Sequence, residues 1–192
     1  MKLAAQPYVS EAQYLEQELR SATRSEYVAG QVFAMSGASL RHNVITLNIA
    51  MLLRHHLRGT PCRTFMADAK LRVAKVQSIY YPDVMVTCDP VHQQVGPQDH
   101  LVETPRLIVE VLSESTAGTD RREKLQAYRS LPTLREYMLV SQDEALIEIH
   151  RRRGDIGWDI ITLTPGDPVE LDSVELQTQF AAVYEESGLA LG

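Results

Sequence analysis

"PRLIVEVLSEST", residues 105–116, is the stretch on which the reading of the fold turns. Its centre, "RLIVEVL", is rich in β-branched and other apolar residues, which predicts a strand. One carboxylate, Glu110, stands in the middle of it. A charge in a run that resembles a buried strand is costly unless it is ion-paired, hydrogen-bonded or bound to a metal. The plainer alternative is a strand with one face in water, in which "VEV" simply alternates.

Moving outward, "CRTFMA", "AKLRVA" and "DVMVTC" predict strands before this one, and "EYMLV", "ALIEIHRR" and "GWDIITL" strands after it. The segment between Cys88 and Leu101 reads as a polar loop. "VSEAQYLEQELR" predicts a short amphipathic helix with Ser10 as its cap and Gln13 completing a capping box. "SEYVAGQVFAMSGAS" predicts a hairpin turning at Ala29 and Gly30. The clearest helix runs from Ser39 to Arg58, with Leu40, Val44, Leu47 and Met51 recurring at intervals of three and four and Ile45, Ile49 and Leu52 beside them. Gly59 and Pro61 end it. "SESTAGTDRREKLQAYRSL" opens with cap-forming residues, then predicts a helix with Leu125 and Tyr128 on one side and Asp120 as a cap or first-turn acid. "SVELQTQFAAVYEE" reads as a terminal helix or a helix with a tail. The order predicts an α/β or α+β domain, a mixed sheet flanked by helices, spanning residues 1–192 as one unit.

Composition sets bounds on function. Hydrophobic residues make up 44% and charged residues 23%, values typical of soluble globular chains, so disorder and fibrous architectures are disfavoured. No run approaches the roughly 20 apolar residues of a membrane span and the first ten residues lack a signal-peptide core, which predicts a cytoplasmic protein without membrane contact. Cys62 and Cys88 lack metal-type spacing and are expected as free buried thiols rather than a disulfide. The formal charge of −6 is unusual for a protein that grips nucleic acid through phosphates. Basic residues do gather in "RHHLR" (54–58), "DRREK" (120–124) and "HRRR" (150–153), each a candidate charged face or an ordinary solvated surface.

Three residues form a candidate constellation. Asp83 follows Pro82 just ahead of a strand, where a Pro-Asp pair is also common turn punctuation. Glu110 lies 27 residues later; if the two strands pair, two carboxylates converge within reach of one divalent cation, and Mg²⁺ is often held by one or two carboxylates plus water and phosphate. Lys124 lies four residues after Asp120 at the border of an apolar stripe, and can run its methylenes along the core to present its ammonium at the sheet's edge. Its alternative is an exposed helix lysine paired with Asp120.

The series "EYVAGQVFAMSGASLRHNVITLNI", "ADAKLRV", "YYPDVMVTCDP" and "LIVEVLSESTAGTDRREKLQAYRSLPTLREYMLV" resembles the Uma-two-type restriction endonucleases, within the PD-(D/E)XK nuclease superfamily, over most of the chain. The resemblance implies a restriction-endonuclease-like fold with a core sheet of about four strands. It places Asp83 at the acid of the Pro-Asp motif and Glu110 at the acid of the D/E-x-K element. Leu112 occupies the position of the usual lysine, on the same face of the strand as Glu110, so the lysine's role is expected to have migrated to Lys124 on the following helix. Glu26 resembles a recurrent family acid and is expected as an additional metal or water ligand, against the alternative of an exposed acid near Arg24. His42 resembles a recurrent histidine but is left outside the core site as a packing residue.

Three functions follow as expectations. The first is Mg²⁺- or Mn²⁺-dependent hydrolysis of DNA phosphodiester bonds, with Asp83, Glu110 and Glu26 toward the metal, Lys124 orienting water or offsetting transition-state charge, and a homodimer serving the two strands. The second is a weakly active or inactive nuclease-fold protein that binds nucleic acid or a protein partner. The third is a hydrolase of another phosphoester.

Overall fold

The computed structural model describes residues 8–96, 100–113 and 117–191. The apolar run of the opening stretch is strand β8, Leu107–Leu112, and it lies at the centre of the larger of two main sheets. That sheet has six strands in the order β11-β10-β9-β8-β6-β3. Its members are β3 (Arg63–Met66), β6 (Val84–Thr87), β8, β9 (Glu136–Ser141), β10 (Ile147–Arg153) and β11 (Gly157–Leu163). β8 runs parallel to β9 and antiparallel to β6, so the sheet is mixed, as expected, with six strands rather than about four.

The second sheet, in the order β2-β1-β5-β4-β7, contains the predicted hairpin of β1 (Ser25–Val28) and β2 (Gln31–Ala34), with positive φ at Ala29 and Gly30 in its turn. β4 is Lys70–Val73. The sequence reading did not include β5 (Ser78–Tyr80) or β7 (Leu101–Val102); both are very short and draw their stability from the strands they join.

Helix α1, Glu11–Glu18, starts at Ser10 with the full capping box. Helix α2, Leu40–His56, starts at the Ser39 cap. Its buried residues are Ile45, Thr46, Ile49, Ala50 and Leu53, whereas Leu40, Leu47 and Met51 of the expected stripe are exposed. Both faces of α2 carry apolar residues at helical spacing, and packing on the sheet selects the other one. Helix α3 is continuous through Ala117–Thr119, a π-helical segment Asp120–Lys124 and an α-helical segment Leu125–Arg129. Glu114–Thr116, expected to contribute to its cap, lie outside the described residues.

The expected terminal helix is mostly something else. β12 (Pro168–Leu171) and β13 (Leu176–Gln179) form a hairpin, and only Phe180–Val183, α4, is helical. Val169, Leu171 and Leu176 carry this hairpin into the core under α2, where burial outweighs the local helix preference.

β8 is buried on both faces, which removes the reading of Glu110 as one of a row facing water. Leu107, Val109 and Val111 pack toward α2 in one core cluster. Ile108 and Leu112 pack in a second, with Tyr128 and Leu131 of the α3 region and Leu71 and Tyr80 of the second sheet. Glu110 belongs to this second row by strand alternation. Cys62 and Cys88, expected as free thiols, are bonded to each other. They follow the Arg63↔Thr87 pair at the end of the β3–β6 ladder, so antiparallel pairing brings together two cysteines 26 residues apart.

Candidate active site

Strand pairing creates the carboxylate pair. Val84 lies opposite Val109 in the antiparallel β6–β8 ladder, so Asp83 at the head of β6 falls beside Glu110. The two are linked through backbone donors: the Val111 N–H donates to Asp83 Oδ2 at 2.7 Å and the Asp83 N–H approaches Glu110 Oε2 at 3.4 Å. Glu110 is 3% exposed. Burial is the main influence on its carboxyl and, with Asp120, Asp83 and Glu26 nearby, pushes it well above the usual carboxylate range against the pull of Lys124.

Lys124 reaches in from α3 as the resemblance implied. Its Nζ lies 3.0 Å from Glu26 Oε1, 3.2 Å from Asp120 Oδ1 and 3.3 Å from Glu110 Oε1. Burial alone would lower this amine, but the charges of Glu110, Glu26 and Asp120 prevail and hold it well above the ordinary lysine value, so it stays an ammonium. It is no exposed surface lysine. Glu26 likewise is not the free acid of the alternative reading: it pairs with Lys124 and accepts from the Tyr81 N–H, while Arg24 pairs with Asp68. Leu112, where the signature lysine would stand, is buried in the second core cluster.

Asp83, Glu110, Lys124 and Glu26 therefore line one cleft of about 890 Å³, whose rim runs along the β2–α2 connection. The structure adds three residues that the sequence reading left outside. His42, at the start of α2, places Nε2 3.2 Å from Asp83 Oδ2 and Nδ1 3.5 Å from Thr46 Oγ1. Burial lowers its basicity, yet the hydrogen bond and charge of Asp83 outweigh this and raise it. The Tyr128 hydroxyl donates to Glu110 Oε1 at 2.9 Å. Asp120, expected as a cap or first-turn acid, is an acid of the first turn of the π-helical segment and is buried beside Lys124. The usable signal was the spacing of Asp120, Lys124 and Tyr128, each four residues from the next.

Chemically, Glu26, Glu110 and Asp120 surround one ammonium and Asp83 meets one histidine, with Glu123 also on the cleft wall, a donor set of hard oxygens with surplus negative charge. Among the described residues no group of three side chains is already spaced as a complete metal cage. No helix among them is long and apolar enough to cross a membrane.

The cleft lies where the start of β6 meets the C-terminal half of β8, in a mixed α/β fold that a solved structure shares. A crystal structure described as that of a putative nuclease belonging to DUF820, from Anabaena variabilis, superposes with a TM-score of 0.73 over 92% of this chain and 97% of that one, at 14% identity. The chain belongs to the Uma2 family, described as "Putative restriction endonuclease", whose family model matches residues 11–183. Two proteins of Synechocystis sp. named as uncharacterized are similar to it: one is 35% identical over 96% of this chain and 94% of its own length, the other 34% identical over 90% and 96%.

Proposed function

We propose that the protein is a metal-dependent endonuclease that hydrolyses DNA phosphodiester bonds. The observation that carries this reading is the convergence of Asp83, Glu110, Glu26 and Lys124 in one cleft, with Glu110 and Lys124 buried. Family membership and fold support a nuclease; the metal rests on the chemistry of the donors, and the DNA substrate on the family's description as a restriction endonuclease.

Asp83 and Glu110 supply carboxylate oxygens suited to Mg²⁺ or Mn²⁺, with Glu26 alongside, and surplus buried acid is the environment such an ion relieves. Bound there, the ion supplies Lewis acidity to the scissile phosphate and acidity to a water. The residues do the rest. The Val111 N–H and His42 fix the Asp83 carboxylate, and Tyr128 fixes that of Glu110. Lys124 orients the attacking water or offsets charge on the pentacovalent transition state.

The test incubates purified protein with plasmid, linear duplex and single-stranded DNA in Mg²⁺ or Mn²⁺, beside Asp83→Ala and Glu110→Ala. Cleavage by the parent that both substitutions abolish is expected. Cleavage that survives both assigns the activity elsewhere. The incomplete ligand set among the described residues favours a second reading, a nuclease-fold protein that binds DNA without cutting it. Metal-independent DNA binding with no cleavage would establish that one.

A further inference from the structure

The π-helical segment Asp120–Lys124 has a consequence for the lysine that ends it. In an α-helix, residues four apart drift round the axis by about 40° per step, so positions 120, 124 and 128 would spread over a wide arc. A π turn, closed by i→i+5 bonds, rotates less per residue and cancels much of that drift. Asp120, Lys124 and Tyr128 accordingly form one buried row along α3. The row faces Glu110: Tyr128 and Lys124 both donate to Glu110 Oε1, and Asp120 stands next to the ammonium.

Asp120 is 2% exposed, and its Oδ1 is buried with no hydrogen bond. It comes within 3.2 Å of Lys124 Nζ at an angle that makes an ion pair but not an aligned bond. A third carboxylate beside an ammonium already paired with Glu26 and Glu110 adds acid–acid repulsion in a dry site and gains little for stability. Its backbone is independently anchored, since the Asp120 carbonyl accepts from the Tyr137 hydroxyl at 3.2 Å. The side chain is thus held where it costs the fold something.

We infer that Asp120 is a positioning residue, which the π turn aims at Lys124 so that the ammonium stays directed into the cleft when Glu110 or Glu26 turns to another partner. The role rests on the nuclease reading above, and it predicts a separation between stability and turnover. Asp120→Asn keeps the shape and removes the charge. We expect kcat to fall about tenfold to a hundredfold, the usual range for a group supporting a functional side chain, with KM changed less than about threefold. The thermal midpoint is expected unchanged or raised, because the repulsion is relieved; a merely structural role would lower it. In a Lys124→Met background, Asp120→Asn is expected to add no further loss, since its effect passes through the lysine.

A readout in the metal-free protein keeps this separate from the nuclease reading. In ¹⁵N-lysine-labelled protein, a buried, ion-paired ammonium exchanges its protons slowly and gives its own ¹H–¹⁵N signal, assigned by its loss in Lys124→Met. We expect that signal in the parent and in Glu26→Gln, which withdraws one of the other partners, and its loss or broadening when Asp120→Asn is added to Glu26→Gln. An unchanged signal, or a lowered thermal midpoint with kcat intact, overturns the positioning role. A parent that cleaves no DNA overturns the nuclease reading, while the ammonium signal still decides whether Asp120 holds the lysine.

Discussion

Two clusters of charge, one visible as a run of letters and one gathered only by folding, are treated in opposite ways. "HRRR" on β10 is a run of basic residues in an acidic protein, and each is held by partners within its own chain. Arg151 pairs with Glu136 at 2.7 Å and Asp172 at 2.8 Å. Arg152 donates to the carbonyls of Leu134, Arg129 and Leu131 and lies 4.4 Å over the Trp158 ring. Arg153 pairs with Asp159, and His150 is buried between Glu148 and Arg129. In the cleft, by contrast, Glu26, Asp83, Glu110 and Asp120 outnumber the cations that face them. A compensated cluster is a fastening. An uncompensated one, buried, is what the proposed metal site would require.

The largest effect expected from this contrast is at Glu110. Glu110→Gln is expected to lower DNA cleavage by about a thousandfold or more, equivalent to roughly 4 kcal/mol of barrier, yet to leave the denaturant midpoint unchanged or higher, because a neutral amide relieves a crowded, buried acid cluster. Cleavage kinetics and urea unfolding of one preparation check both halves. A large loss of stability would place Glu110 among the fastenings and undo the comparison.

The reverse pattern is expected at Glu136, which is fully buried, pairs with Arg151 and accepts from the Ser173 N–H at 2.8 Å. Glu136→Ala leaves a guanidinium and a buried N–H short of their partner, and about 3–5 kcal/mol of stability should be lost. Turnover per folded molecule should not change. Urea unfolding combined with active-fraction kinetics tests this; a variant as stable as the parent would show that the basic band is not structural.

How much of this was legible in the letters depends on whether a local signal pointed the same way as the packing. β8 was legible because five apolar residues around one acid have few other interpretations, and the Asp83–Glu110 pair followed from two strands that pair. Lys124 was legible only through family resemblance, since helical spacing alone also fits a surface pair with Asp120. The buried face of α2 was not, because Leu40, Leu47 and Met51 compete on equal terms with Ile45, Ile49 and Leu53 until the sheet selects among them. The β12–β13 hairpin was hidden by helix-forming residues. The π turn has no signature in a reading built on a period of 3.6, so Asp120 reads as a cap or first-turn acid and its burial against Lys124 does not show. The cystine was missed because compartment arguments say nothing about which cysteines a ladder sets side by side.

The smallest expected effect is also the sharpest on the basic band as a nucleic-acid face. Arg153 is the most exposed arginine of the run, and its partner Asp159 lies on the neighbouring strand β11. Exposed pairs of this kind contribute about 0–1 kcal/mol, so Arg153→Ala should shift stability by less than that. A phosphate contact would instead be visible in salt dependence: each one lost reduces the slope of log K against log salt by about 0.9 for duplex DNA. Binding isotherms of Arg153→Ala across a salt series, in the absence of divalent metal, should therefore give the parent's slope. A slope lower by a full contact would mean that Arg153 exchanges Asp159 for a phosphate when DNA arrives, and that the fastened cluster, not only the open one, takes part in binding.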